Sequence, residues 1–327
     1  MILIISASWD AHPAKIHKAI LDKHQDCKIF FTDEYSSRNY IKYFQNKIQI
    51  IINSEPVNIG DITSVFVRHP FEWAYNPVKV NDDRNYLEHE LRRKEVNDIV
   101  KSLIHECERR KIFVIYNFEN PIEFKLSNYL RAKEIGFNLP YTIISNEKNT
   151  FLGLKNSEKE FIIKPFVSRT YFKNRAISKE IMPIKGKDLY KKFSSITSVP
   201  YPLQIQERID KQLDLRITIA GKQVFTCALY SQENPLTTLD SGKTLFENLR
   251  HESYQLPKEV ENLCFELCRR NNLNHAAIDM ALDKNGKYVF FELNPYGEYL
   301  WIEEKTGLPI SEGMANLLMY PDKYRLV

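Results

Sequence analysis

Three side chains in the last fifty residues of this sequence have the types and spacing of a magnesium site. Asp279 precedes, and Glu292 and Asn294 follow, the pair Asn285 and Gly286, which is the strongest short signal for a β-hairpin turn. In a hairpin with those two residues as its loop, Asp279 lies directly opposite Glu292, and Asn294 shares their face of the sheet. With the loop shifted one residue earlier, the two carboxylates become diagonal neighbours on the same face.

Two carboxylates opposed in this way require a positive partner. Their Cβ atoms would lie about 5 Å apart, where like charges repel. The flanking residues are apolar, namely Ile278, Met280, Phe290, Phe291 and Leu293. Because Asp, Glu and Asn supply only oxygen ligands, which suit Mg²⁺ bound to nucleotide phosphates, the pattern predicts a Mg²⁺ site. The alternative is an exposed strand face with incidental charges.

Two basic residues in apolar surroundings predict contacts to an anion. Lys164 follows the apolar run 161–163, and burying an ammonium group without an anion is costly. We therefore expect Lys164 to contact a nucleotide, although a lysine whose stem reaches solvent fits the same pattern. Arg216 lies among apolar residues of another predicted strand, where a guanidinium can hold a phosphate or carboxylate with two hydrogen bonds. The alternative for Arg216 is an ion pair with Asp214 or Glu207.

The composition excludes several classes of protein. The chain has 327 residues, 43% of them hydrophobic, with 46 Lys and Arg against 42 Asp and Glu, which is typical of a globular protein. We find no basic tract for nucleic acid, and the longest apolar runs are too short to span a bilayer. The five cysteines lack zinc-ligand spacing, which indicates reduced thiols in the cytoplasm. No hydrolase motif is present, and His69 and His275 are interpreted as ordinary polar or core residues.

The elements that must position these residues fall into three units. Alternating strands and helices in residues 1–119 favour an α/β domain with a mostly parallel sheet. Its predicted strands are 2–6, 28–32, 49–52, 64–68 and 112–116, and its helices are 13–23 and 84–110. Residues 120–202 form a central unit with helix 121–135 and strands 141–145 and 161–164. Residues 203–327 form the third unit, with strands 203–208, 214–220, 223–230, 276–282 and 288–293 and helices 257–271 and 311–320.

The sequence from Glu292 to Glu303 carries a resemblance to a known family. Glu292, Asn294 and Pro295, after a strand that bears Asp279, resemble the magnesium end of ATP-grasp ligases. The longer run through Trp301, together with residues 306–310, looks like the graspetide ligases of the microviridin and plesiocin kind, which modify ribosomally made peptides. The resemblance covers about residues 60–327.

Further segments match the same family in order along the chain. They are Val67 to Pro70, resembling an aromatic-Arg-Arg-Pro strand end; Asn120 through Lys125 to Thr142; Phe161 to Pro165; Gln206 to Ile209; Asp214 to Arg216; and Asn248 to Arg250. Two departures stand out. The loop after Lys164 has no glycine, and Ala277 lies where some ATP-grasp families place an arginine.

The resemblance implies a three-lobed ATP-grasp architecture behind an N-terminal α/β domain. It implies that ATP and Mg²⁺ are bound, and that Glu or Asp side chains of a precursor peptide, with a leader and a Thr/Glu-type core, are phosphorylated. A Ser or Thr hydroxyl or a Lys amine then closes a macrocyclic ester or amide. The implied nucleotide-binding residues are Lys125, Lys164, Gln206, Glu207, Arg208, Ile209 and Asp214, and the implied metal ligands are Asp279, Glu292 and Asn294. Arg216, with Arg250 second, is expected to hold the carboxylate that is phosphorylated.

Two other functions stay open at this point. One is an ATP-grasp ligase that adds a free amino acid to a peptide or protein. The other is a nucleotide-dependent peptide-binding subunit without turnover, against which the intact set of Asp279, Glu292 and Asn294 argues. We expect a cytoplasmic protein with no nucleic-acid or membrane partner, and the sequence leaves a homodimer open.

Overall fold

The computed structural model describes residues 1–70, 83–116, 125–164, 170–172, 175–177, 183–194, 201–239 and 249–327. Its N-terminal unit is an α/β layer built on an apolar parallel sheet. The elements are β1 (Ile2–Ser6), α1 (His12–Leu21), β2 (Cys27–Phe31), β3 (Tyr40–Phe44), β4 (Lys47–Ile52), β5 (Glu55–Asn58), β6 (Ser64–Arg68), α2 (Asp83–Arg109) and β7 (Phe113–Ile115).

The strands of the N-terminal unit form two sheets. Parallel pairing gives the order β2-β1-β6-β7, and β3, β4 and β5 form a separate antiparallel sheet. The chain leaves β1 for β2 on one side and later returns to β6 on the other. The boundary between β1 and β6 is therefore a topological switch point, the place where open α/β sheets have a crevice at the carboxyl ends of their strands.

The central unit has an antiparallel sheet of order β12-β9-β13-β8. Its elements are α3 (Lys125–Ile135), β8 (Thr142–Ser145), β9 (Glu160–Lys164), β10 (Thr170–Phe172), β11 (Arg175–Ile177), β12 (Ile184–Lys185), α4 (Gly186–Ser194) and β13 (Leu203–Glu207). Its own small core contains Phe151, Leu154, Leu189 and Ile205.

The C-terminal unit has an antiparallel sheet of order β16-β15-β14-β17-β18. Its elements are β14 (Lys211–Ala220), β15 (Gln223–Leu229), β16 (His251–Ser253), α5 (Lys258–Arg270), β17 (His275–Asp283), β18 (Tyr288–Asn294), α6 (Leu300–Thr306), α7 (Ile310–Met319) and α8 (Pro321–Tyr324).

The two faces of the C-terminal sheet pack against different partners. Alternate residues of β14 and β17, such as Ile217 and Ile278, face α5 in one core. The other face shares a core with α6, α7 and the N-terminal unit, in which Ile16 and Phe66 are grouped with Met314. The N-terminal and C-terminal units are therefore joined by common apolar packing.

Several elements differ from the predictions. The strand at 203–207 was predicted to open the third unit, but it pairs with β8 and β9 in the central sheet, so the chain enters the C-terminal sheet at β14. Elements β3, β5, β10, β11, β16 and α6 were not predicted. Most of these strands are short, and strand partners are chosen by contacts remote in sequence, which an apolar pattern does not encode.

The cysteines are the free thiols that their spacing predicts. All five cysteines are free and buried, and burial raises the pKa of Cys227 to about 12. Among the described residues, no helix combines the length and the hydropathy that crossing a membrane would need.

Candidate functional site

The hairpin between β17 and β18 has a three-residue loop, so the expected two-residue turn is wrong. The Asp283 N–H donates to the Lys287 carbonyl oxygen at 2.9 Å, which leaves Lys284, Asn285 and Gly286 as the loop. Gly286 has φ of 78°, the left-handed conformation that such loops place on glycine. The pair Asn285 and Gly286 therefore predicted the position of the turn correctly, but the loop is one residue longer than predicted.

A β-bulge at Phe291 nevertheless brings the two carboxylates together. Near the loop Met280 pairs with Phe290, and beyond the bulge Asp279 pairs with Glu292. Without the extra residue, Glu292 would point to the opposite face, because a shift of one residue reverses every side chain of a strand. The predicted register of Asp279 and Glu292 is therefore confirmed, although the bulge that produces it was not predicted.

Arg216, Asp279 and Glu292 lie side by side across three strands, and we call these residues the carboxylate row. Arg216 is opposite Asp279, and its Nη1 donates to both Asp279 carboxylate oxygens at 2.8 Å. Its Nη2 donates to the Glu298 carbonyl oxygen at 3.2 Å. Neither of the ion pairs considered as alternatives for Arg216 forms, since its carboxylate partner is Asp279.

The loop after β18 closes tightly over the row. Asn294 lies opposite Ala277, diagonal to Asp279, and its side-chain oxygen accepts the Tyr296 N–H at 2.9 Å. A Cβ on Gly297 would come within 2.0 Å of the Ala277 Cβ. Ala277, the departure from the family noted above, therefore contacts this loop directly, and the loop lies close to it because residue 297 is a glycine.

Glu292 is the electrostatically strained member of the row. Burial and the adjacent Asp279 charge raise the pKa of the Glu292 carboxyl above its ordinary value, against the effect of nearby cations. The nearest of these is Lys125, at the start of α3, whose Nζ lies 3.6 Å from Glu292 Oε2. The Glu292 side chain is still 44% exposed, so a ligand can reach its carboxylate.

Lysines of the central unit face the row. Lys164, at the end of β9, has its Nζ 4.9 Å from the ring centroid of the bulged Phe291. Burial lowers the pKa of Lys164, and the charges of Lys125 and Lys211 act in the same direction. An ammonium group in such surroundings is stabilised by a bound anion.

Asp214 is held in a buried ion pair. Its two carboxylate oxygens accept from the Lys211 Nζ at 2.9 Å, and the Ser231 hydroxyl donates to it at 2.5 Å. Asp214, which the resemblance implies to be a nucleotide-binding residue, therefore already has partners within the protein. Lys211 was missed in the sequence, where the only signal is a lysine three residues before the Asp-Leu-Arg tripeptide.

The segment from Gln206 to Arg208, at the end of β13, binds other residues of the central unit through its side chains. The Gln206 amide donates to Tyr129 Oη at 3.1 Å. Glu207 accepts from Lys159 at 2.6 Å, and the guanidinium of Arg208 pairs with Glu160. Any contact that this segment and the following Ile209 make with a nucleotide must therefore come mainly from the main chain.

The structure does not bring Arg250 to the carboxylate row. Its guanidinium carbon lies 3.2 Å from the Tyr230 ring centroid, and it pairs with Glu233 at 2.6 Å and with Glu252 at 2.7 Å. Strand pairing from Arg216 through β15 to β16 places it on the opposite face of the sheet. Its reserve assignment as the holder of the substrate carboxylate has no geometric support.

The N-terminal unit adds a second group of charges, which we call the buried ion cluster: Asp10, His12, Arg68 and Glu298. Arg68 is fully buried at the end of β6 and donates to Asp10 at 2.7 Å and to Glu298 at 2.9 Å. Burial opposes ionisation of Asp10, but hydrogen bonds from His12 and the Arg68 charge outweigh it and lower its pKa to about 2. Because the Glu298 carbonyl oxygen accepts from Arg216, this cluster contacts the carboxylate row directly.

No protein-family model and no curated protein matches the sequence, but solved structures do. An ATP-grasp ligase of Chryseobacterium gregarium, described as RiPP-associated and solved with ADP and a leader and core peptide, has a TM-score of 0.80 at 22% identity, over 99% of this chain and 98% of that chain. The macrocyclase MdnC of Microcystis aeruginosa MRC, bound with precursor peptide MdnA, has a TM-score of 0.75 at 24% identity, over 97% and 99%. PsnB, complexed with a minimal precursor, Mg and ADP, has 0.73 at 17%, over 98% of each chain.

These similarities extend over nearly the whole of both chains in each comparison. The chain therefore has the fold of ATP-grasp ligases, and the α/β architecture expected from residues 60–327 is confirmed. The likeness includes the first sixty residues, where the sequence resemblance is weak.

Proposed function

We propose that this protein is an ADP-forming ATP-grasp ligase that acts on a ribosomally made precursor peptide with a leader and a Thr/Glu-type core. ATP phosphorylates a Glu or Asp side chain of the peptide. A Ser or Thr hydroxyl, or a Lys amine, of the same peptide then displaces phosphate and closes a macrocyclic ester or amide. The observation that carries the proposal is the carboxylate row facing lysines of the central unit, in a fold shared with ligases solved with ADP, Mg and precursor peptides.

The carboxylate row fits a magnesium ion. Asp279, Glu292 and Asn294 offer oxygen ligands only, and the raised pKa of Glu292 reports a site where two negative charges lack a sufficient counter-charge. Among the described residues, no three His, Cys, Asp or Glu side chains group as a complete metal site, so nucleotide phosphates are proposed to complete the ligand set. When bound, Mg²⁺ would offset charge on the transferred phosphoryl group.

The lysines are proposed to hold the ATP phosphates. Lys125 and Lys164 come from the central unit, and the charges of both act on Glu292. The main chain from Gln206 to Ile209 is proposed to contact adenine, with the side chains of Glu207 and Arg208 holding that segment in place. Asp214, fixed by Lys211, is proposed to contact the ribose.

Arg216 is proposed to hold the carboxylate that is phosphorylated. A carboxylate and a γ-phosphate repel each other, and a guanidinium can bind both at once. Arg216 donates through Nη1 to Asp279 and through Nη2 to Glu298, and its Nε is buried, which leaves one Nη2–H for a substrate. Once positioned, the bound partners gain the effective concentration of an intramolecular reaction.

The test is mass spectrometry of a peptide after incubation with the protein, ATP and Mg²⁺. The probe is the product of a short reading frame beside this gene that encodes Thr-rich and Glu- or Asp-rich repeats. We expect the loss of one water per ring, with ADP and phosphate released only when peptide is present. Incorporation of a free amino acid would support the amino-acid ligase instead, and peptide binding without nucleotide turnover would support a binding subunit.

A further inference from the structure

One peptide group, between Glu298 and Tyr299, connects the carboxylate row to the buried ion cluster. Its carbonyl oxygen accepts from Arg216 Nη2 at 3.2 Å, and its N–H donates to His12 Nε2 at 3.1 Å. A peptide group is planar, and in the trans form, which this one has, its carbonyl and its N–H point in opposite directions. The two hydrogen bonds therefore fix the plane of this peptide group from opposite sides.

The neighbours of His12 determine which of its ring nitrogens carries the proton. Nδ1 lies 2.7 Å from Asp10 Oδ1, and an ionised carboxylate only accepts, so the proton is on Nδ1. Nε2 also lies 3.3 Å from Glu298 Oε2, but a proton on Nε2 would meet the hydrogen of the Tyr299 N–H. The hydrogen bonds therefore assign a neutral imidazole, with Nδ1 as the donor and Nε2 as the acceptor.

The His12 ring is held in place by every group around it. It is 2% exposed, and its ring meets the Tyr299 ring edge-on, with centroids 4.5 Å apart. Asp10 is held in turn, because it accepts from the His12 main-chain N–H at 2.9 Å and from Arg68 Nε at 2.7 Å. A side chain locked in this way can hold a neighbouring group in one orientation.

The same peptide group determines where Arg216 can bind a substrate. Nη1 donates to both carboxylate oxygens of Asp279 at 2.8 Å, and Nε is buried. Nη2 has two hydrogens, and one of them is bound by the Glu298 carbonyl oxygen. Because a guanidinium is planar and rigid, that bond fixes the direction of the second Nη2 hydrogen. The Glu298 carboxylate is not involved, since it pairs with Arg68 at 2.9 Å.

We propose that His12, oriented by Asp10, is a positioning residue for activation of the substrate carboxylate. By accepting the Tyr299 N–H, His12 keeps the Glu298 carbonyl oxygen on Arg216, and Arg216 presents its remaining Nη2 hydrogen to the carboxylate that ATP phosphorylates. The inference rests on the proposed function and deepens it, because it makes the N-terminal unit responsible for the geometry of the reaction centre. Without the acceptor on His12, the peptide group is free to rotate, and a displacement of about 1 Å at a reaction centre costs about 10²-fold in rate.

Two variants of His12 separate this role from a contribution to stability. Glutamine places an amide oxygen where Nε2 lies, so it can accept the Tyr299 N–H but no longer donates to Asp10. Asparagine places its amide where Nδ1 lies, so it can donate to Asp10 but does not reach Tyr299. Each variant loses one of two buried hydrogen bonds, and a purely structural role predicts similar losses for both.

Matched controls come from the same helix. His17, also in α1, contacts the carbonyl oxygen of Cys27 through Nε2 at 3.0 Å. The changes His17→Gln and His17→Asn therefore repeat the same two substitutions at a histidine with a different partner. Thermal unfolding and the dissociation constant for ATP are measured for all four variants, and activity is measured well below each unfolding midpoint.

The assay uses the precursor peptide that tests the proposed function, with ATP and Mg²⁺. Hydroxylamine traps the acyl phosphate as a hydroxamate, which measures activation, and mass spectrometry counts the rings. For His12→Asn we expect kcat/KM for the peptide to fall by about 10–100-fold in both measurements, and for His12→Gln to stay within about fivefold of wild type. The affinity for ATP should be unchanged in both variants, because the lysines that face the row do not contact this peptide group.

The tautomer is measured in the wild-type protein. In a long-range ¹H–¹⁵N spectrum at pH 7, the signal of His12 is the one absent from whichever His12 variant folds. We expect a protonated Nδ1 and an unprotonated Nε2. A proton on Nε2 would overturn the inference whatever the variants do.

The outcomes against the inference are distinct from failure of the proposed function. A wild-type protein that dehydrates no peptide would end the proposed function, and this inference with it. If the wild type does dehydrate the peptide, His12→Asn as active as His12→Gln would remove only the positioning role of His12. Affinity for ATP that falls in step with activation would also remove it, since the change would then reach the nucleotide site.

Discussion

The buried ion cluster and the carboxylate row are two groups of charges that touch at Glu298 and Arg216, yet their electrostatics are opposite. In the cluster, Asp10 is 1% exposed, paired with Arg68 and His12, and its pKa is lowered to about 2. In the row, Glu292 is 44% exposed and its pKa is raised. A buried charge such as that of Asp10 makes the fold depend on its partners, whereas charges that need a further partner indicate a binding site.

Neutralising the row should produce the largest effect on activity and almost none on stability. For Glu292→Gln we expect turnover to fall by at least about 10²–10³-fold, because the variant loses a ligand of the proposed Mg²⁺, which would offset charge on the transferred phosphoryl group. Thermal unfolding should be unchanged or slightly later, since the change removes repulsion from Asp279. Phosphate release at limiting Mg²⁺ measures the first quantity, and wild-type turnover there would discard the metal assignment. Glu266→Gln, on the exposed surface of α5, is the matched control.

Removing an arginine from the buried ion cluster should, by contrast, lower the stability of the fold. Arg68→Met leaves Asp10 buried beside only His12, and removing one partner of a buried ion pair costs about 3–5 kcal/mol of unfolding free energy. Urea unfolding at pH 7 measures it. In the wild type the contribution of Asp10 is present above its unfolded pKa of 3.8 and is lost as the pH falls toward 2. If the free energy of unfolding at pH 7 falls by less than about 1 kcal/mol, the Arg68 pair contributes no more than an exposed ion pair and the prediction is wrong.

Removing one lysine that faces the row should weaken nucleotide binding at little cost to the fold. We expect Lys164→Ala to raise the dissociation constant for ATP by about 10–100-fold, since its ammonium group is buried and stabilised by a bound anion. Stability should be unchanged or increased, because burial lowers the pKa of this lysine in the free protein. Calorimetric titration with ATP measures the affinity, with Lys133→Ala, at an exposed position of α3, as the control. Unaltered affinity would remove Lys164 from the nucleotide site.

The smallest effect is expected at Arg250. Its partners are Glu233 and Glu252 on the opposite face of the sheet from the row, and exposed ion pairs contribute little. Arg250→Gln should leave the rate of ring formation within about twofold of the wild-type rate and the thermal unfolding midpoint unchanged. Arg216→Gln in the same dehydration assay should lose ring formation while keeping ATP affinity within a few-fold. Equal ring formation by the Arg216 and Arg250 variants would contradict the assignment of different roles to these two arginines.

The sequence predicted the row but not the cluster, for a physical reason. Asp279 and Glu292 belong to one hairpin, so local turn chemistry and alternation place them together, even though an extra loop residue and the Phe291 bulge both had to occur. Arg68 and Glu298 are 230 positions apart, and no periodicity relates them.

The core shared by the N-terminal and C-terminal units means that the first third of this protein is not an independently folding domain. Ile16 and Ile20 of α1 are buried in the same core as Met314 and Leu317 of α7. Cutting the chain after β7 would uncover that apolar surface on both pieces, which favours aggregation over independent folding. Chimaeras that exchange N-terminal units between proteins of this fold should therefore express poorly unless the α1–α7 contact is exchanged with them.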